Sequence, residues 1–231
     1  MQIRVGLENE IEGRSLAWVF DNPGCFAYGT NGTEAIMRVP QAVITYREWI
    51  GSHTKKSWLE DLEDFDVALA EIYECFNIQQ GDKKIEINAW FQEDTRSLSP
   101  LEIERGLSLL EWAKTDLVSL ISPLHLHQLD QKFLGERWSI DGVVRHVANA
   151  NWWYLDRIGL SGIGRDQLSG NTLERINQVH LQMKEVFPTL AGNTGICEVD
   201  GETWSSRKVL RRAVWHIRDH HFHIERLLTL L

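Results

Sequence analysis

Near residue 95 the hydrophobic period of the chain changes, and that change limits the fold more than any other feature. Before it, apolar residues alternate or cluster in short β-prone runs such as "QIRVGL", "SLAWVF" and "KKIEINAWF". After it, they recur at helical spacing behind strong start signals. Ser99-Pro100-Leu101-Glu102 is one such signal: Ser99 caps, Pro100 suits the first helical position, and Glu102 closes a capping box. A chain of 231 residues with this switch is expected to be α+β, with a small α/β domain over 1–95 and an all-helical domain over 96–231.

In the first part, "DNPGCFAYG" is turn chemistry. Pro23 presets φ at the second turn position and Gly24 accepts a positive φ at the third, so a hairpin joins "SLAWVF" to "CFAYGT". Asn31 with Glu34 marks a helix start, and Pro40 is expected to kink or shorten that helix. The stretch "SWLEDLEDFDVALAEIYECF" is amphipathic and acidic, and its charge reads as a solvated face.

The second part contains an internal echo. "GERWSIDGVV" and "GETWSSRKVL" share Gly-Glu-x-Trp-Ser-x-x-x-Val. Ser139 and Ser205 read as N-caps, with Trp138 and Trp204 placed to staple onto Val143 and Val209. Helices are therefore predicted to start at 140 and 206. Two more run from Pro100 to about Ile121 and through "LERINQVHLQMKEVF", which stops before Pro188. Four amphipathic helices form a four-helix bundle, and connections this long imply that at least one crosses it.

Four of the nine histidines fall in "WHIRDHHFHIER". At about 100° per residue, His220 and His223 lie within about 40° of His216, on one stripe at the edge of the apolar arc. His221 lies about 140° away and Asp219 lies on another face. His146 stands at the matching margin of its own helix, aligned with Trp153. One imidazole from one helix and a His-x-x-x-His pair from another make a facial site with open positions, as catalytic zinc sites do. His146, His216 and His220 are thus the candidate metal ligands. His223 is a candidate supporting partner or alternative ligand. His53, His125, His127 and His180 read as ordinary loop or core residues. Trp153 and Arg212 are candidate pocket residues, although "WW" also reads as core packing. The run Arg207, Lys208, Arg211 and Arg212, together with Arg145, reads as a solvated face before it reads as an anion site.

Composition narrows the function classes. An apolar fraction of 43% and ten tryptophans support filled cores. A net charge of −9 argues against nucleic acid or an anionic membrane as a partner. No apolar run is long enough to span a membrane, the start lacks a signal-peptide core, and three scattered cysteines read as reduced thiols, so a cytoplasmic location is expected.

Trp138, Ser139 and His146, followed by Trp204, Ser205, His216 and His220, resemble the DinB-like superfamily over residues 99 to the end. The resemblance implies a four-helix bundle holding a divalent metal, usually zinc or nickel, through the three histidines. It also implies, in some relatives, a transferase or isomerase that uses a low-molecular-weight thiol such as mycothiol or bacillithiol. His223 departs from the pattern, which has Gln there. "DNPGCFAYGTNGTEA" is similar to HicB-like domains over roughly 13–50, which implies a small α/β fold often found in antitoxins that bind a protein toxin. Two functions follow as expectations. One is a metal-dependent enzyme acting on a small-molecule substrate. The other is a ligand- or protein-binding module on a metal-stabilised bundle, with a homodimer or a protein partner of the N-terminal domain.

Overall fold

The computed structural model describes residues 1–59 and 64–231. The chain divides into two compact units, Met1–Arg96 with Glu198–Trp204, and Ser97–Cys197 with Ser205–Leu231. It is an α+β protein, with a sheet in the first part and helices in the second. The short segment Glu198–Trp204 belongs to the first unit although it lies late in the sequence, so the two units are not two uninterrupted stretches.

The first unit is built on strands β1 (Gln2–Ile11), β2 (Arg14–Val19), β3 (Phe26–Gly29) and β4 (Asp66–Glu74), in the order β3-β2-β1-β4. β1 pairs antiparallel with β2 and parallel with β4. Its run from Val5 to Glu8 is buried throughout, as a central strand covered on both faces requires. The β2–β3 turn forms as its sequence dictates: Cys25 N–H donates to the Asn22 carbonyl at 2.9 Å, and Gly24 takes φ +84° between them. Helix α1 (Gly32–His53) starts at Asn31, whose side chain accepts the Glu34 N–H at 3.0 Å. It runs unshortened through Pro40. That residue is exposed, so water can take up the carbonyl that a missing N–H leaves.

The acidic stretch divides. Residues 60–63 lie outside the described residues, and Asp66–Glu74 is the edge strand β4, exposed or half-buried along its length. Its charge is accommodated by that edge position rather than by an amphipathic surface. A second hairpin pairs β5 (Phe76–Gln80) with β6 (Lys83–Ile87).

The second unit holds α2 (Pro100–Ile121), a single turn α3 (Leu126–Leu129), α4 (Ile140–Arg157), α5 (Thr172–Val186) and α6 (Ser206–Leu228). Each long helix has its local start signal. Ser99 and Glu102 exchange the two bonds of a capping box. Ser139 accepts from Gly142 N–H, Asn171 from Glu174 N–H and Ser205 from Lys208 N–H. α2 packs on α6, and α4 packs on both α5 and α6. Among the described residues no helix is long and apolar enough to cross a membrane.

One expectation fails in α6. Every residue from Ser205 to Arg218 is buried, including Lys208 at 0% exposure. The basic run is therefore not a solvated face. Arg207 donates to the Ser97 carbonyl at 2.8 Å and pairs with Glu102 at 2.8 Å, while Arg212 lies over the rings of Tyr154 and Trp215. Long stems and flat guanidinium faces let these side chains pack, and Arg207 settles its polar end on that carbonyl and carboxylate.

Candidate metal centre

α4 carries His146 and α6 carries His216 and His220, and the packing of these helices brings the three rings together. Nε2 of His216 lies 3.2 Å from Nε2 of His146 and 3.2 Å from Nε2 of His220. The three ligand atoms all fall within 4.8 Å of one another. Donors bound tetrahedrally to one ion at zinc–nitrogen length stand about 3.3 Å apart, so both close spacings suit a shared ion.

The electrostatics favour neutral rings. Burial holds His146 down at about 4, aided by the charges of Arg137 and Arg165. Burial, with His220, His146 and Arg212 adding to it, holds fully enclosed His216 well below the ordinary imidazole range. A neutral imidazole presents the lone pair that a metal needs. Nδ1 of His216 is buried and makes no hydrogen bond among the described residues. Hydrogen bonding alone therefore leaves this ring half-satisfied.

His223 does not join the convergent group. Its Nδ1 lies 3.4 Å from Nδ1 of His220, and its Nε2 lies 2.9 Å from Oε2 of Glu136. Arg226 donates to the other oxygen, Oε1, at 2.6 Å. The Arg226 bond, with that of His223, keeps the Glu136 carboxyl below its ordinary value. Trp138 stacks on His146 with ring centroids 4.4 Å apart, one turn further along than the expected staple onto Val143. Its echo partner Trp204 is instead fully buried at the end of strand β8 (Glu202–Ser205), so the repeated motif serves two different environments.

The remaining candidates separate clearly. Arg212 is 6% exposed beneath aromatic rings, so it does not offer its charge to an open pocket. Trp153 packs against the buried cluster of Trp152, Leu168 and Val179, with Arg157 over its ring. His221 pairs with Glu225 at 3.7 Å and its ring meets Phe222, outside the convergent group. His180 is a buried partner of Glu111, with Nε2 2.8 Å from Oε2. His125 and His127 stack on each other, and His53 meets Trp49. Cys197 sits in strand β7 (Ile196–Val199), and its Sγ donates to the Arg157 carbonyl at 3.2 Å.

Three residues around the centre escaped the sequence reading: Glu136, Trp138 as a ring support, and Tyr154, whose ring meets that of His216 at 6.0 Å. Glu136 was marked only by the Gly-Glu-x-Trp-Ser echo, Trp138 by the echo and the family resemblance but not as a ring support, and Tyr154 carried no signal. No family model, curated protein or solved structure matches this chain.

Proposed function

We propose that the chain is a metal-dependent enzyme of the DinB-like kind, with His146, His216 and His220 as the ligands of one divalent ion. Zinc and nickel are the favoured ions, as the resemblance implies, and both accept imidazole nitrogen. The observation that supports this reading is the convergence of three Nε2 atoms from two helices at 3.2 Å spacings. With three neutral protein ligands, a bound ion keeps its full charge and supplies the acidity that makes a coordinated water or thiol a nucleophile near neutral pH. A low-molecular-weight thiol is the proposed cosubstrate, and transfer or isomerisation of a small electrophile is the proposed reaction class.

The residues of the chain do the rest. Trp138 covers one face of His146 and shields it from water. Arg137 lies 4.5 Å over the Trp138 ring and is itself exposed, so it replaces buried Arg212 as the cation for an anionic substituent of the substrate. In the first unit, the resemblance to HicB-like domains extends the proposal to a protein-binding role for that unit, and a cytoplasmic location belongs to the same reading.

Elemental analysis after exposure to zinc or nickel at neutral pH tests the centre. Wild-type protein should hold about one ion per chain, each single His→Ala change at the three positions should sharply reduce it, and His221→Ala should not. Uptake that is equal in the triple variant and the wild type would refute it. Metal uptake with no acceleration of thiol attack, across a panel of thiols and electrophiles, would favour the non-catalytic binding module.

A further inference from the structure

Beyond the three histidines, a line of polar contacts runs outward from His220 through His223 and Glu136 to Arg226. Its direction follows from chemistry at its outer end. The Glu136 carboxylate only accepts hydrogen bonds, and Arg226 at 2.6 Å holds it ionised. The nitrogen that faces Oε2 at 2.9 Å must therefore donate, so a neutral His223 carries its proton on Nε2. Its Nδ1 is then a bare acceptor, 3.4 Å from Nδ1 of His220. His220 must place its own proton on Nδ1, which leaves its Nε2 lone pair aimed at His216 and His146.

We infer that Glu136 and His223 form a brace that locks His220 in the Nδ1–H tautomer and orients its Nε2 for a metal ion. They are positioning residues. The inference rests on the metal reading for its purpose, but the ring state of His220 is a property of the metal-free protein. His216 has no such brace: no hydrogen-bond partner faces its Nδ1 among the described residues. The arrangement also accounts for the departure at position 223. A glutamine there would offer a carbonyl to His220 without needing a carboxylate behind it, whereas a histidine needs Glu136 to set its own proton.

The test begins without metal. Nitrogen-15 NMR of the histidine rings at pH 8, where free imidazole is neutral, reports which nitrogen of His220 carries the proton. Wild type should show the Nδ1–H form. His223→Ala and Glu136→Ala should show a mixture with the Nε2–H form, and His223→Gln should restore the wild-type state. Glu136 and Arg226 form an ion pair at the surface end of the line, with Arg226 61% exposed, so the fold tolerates these changes, and an unchanged far-ultraviolet spectrum verifies that.

The second readout is cobalt(II) affinity, followed through the visible bands of the bound ion. His223→Ala and Glu136→Ala should each weaken it by about 10- to 100-fold, with His223→Gln close to wild type. A His220 ring state that is the same in wild type and His223→Ala overturns the brace, as does cobalt affinity unchanged in both alanine variants. A wild type that takes up no cobalt overturns the metal reading of the centre instead, and leaves the brace to be judged by the metal-free spectra.

Discussion

Gly106 decides how closely α2 and α6 approach, and replacing it tests the packing that carries His216 and His220. A Cβ built on Gly106 would lie 2.8 Å from both Cδ atoms of Leu210 and 3.4 Å from its Cγ. Carbon atoms prefer about 3.5–4.0 Å, so two contacts are short by roughly 0.7 Å. Leu210 is 1% exposed and has nowhere to turn without displacing neighbours. Overpacking of this kind costs about 1–3 kcal/mol. The higher helix propensity of alanine offsets about 1 kcal/mol of it. Gly106→Ala should therefore destabilise the protein by about 1 kcal/mol. Leu210→Ala alone should cost about 2–5 kcal/mol through lost burial and the cavity left behind. In that background the three nearest atoms to the new methyl are gone, the clash vanishes, and Gly106→Ala should stabilise by about 1 kcal/mol. The predicted coupling is thus about 2 kcal/mol. Urea unfolding followed by the helical circular dichroism signal measures all four corners of the cycle. Effects that add to within about 0.5 kcal/mol would refute the close contact.

Further changes probe other parts of the second unit. Ser205→Ala removes the acceptor for the buried Lys208 N–H at 3.2 Å and should cost about 1–2 kcal/mol in the same urea assay, more than an exposed cap would. Acid should act through Glu111: burial would raise its carboxyl, but bonds from His180, Lys114 and Lys184 outweigh that and bring it down to about 2, from an ordinary 4.5. Because the folded value is depressed, its contribution is fully present above pH 4.5 and is lost as pH falls toward 2. A melting-temperature series over that window should therefore fall less steeply for Glu111→Gln than for wild type. The effect will be modest, because the carboxylate is 39% exposed and solvent screens its partners.

The sequence by itself determined the parts of this protein that depend on residues a few positions apart. Asn31, Ser99, Ser139 and Ser205 cap helices because each cap bond closes over three residues. The Pro23-Gly24 turn forms because those residue types restrict or release φ on their own. The pairing of His216 with His220 is one helical turn and is equally local, and the apolar arc of α4 placed His146 on the correct margin. Tertiary structure decided the rest. Glu136 meets His223 across 87 residues and Glu111 meets His180 across 69, and nothing within either segment encodes such meetings. The basic run of α6 looked solvated because charge around a helix is ordinarily paired with water. It is buried because packing supplies a carbonyl, a carboxylate and ring faces that a helical wheel cannot show. The acidic segment before Glu74 likewise became an edge strand only because β1 was there to pair with it. Bonds that close within a turn are set by residue type, whereas burial and long-range pairing depend on which surfaces meet, and only the folded chain brings those surfaces together.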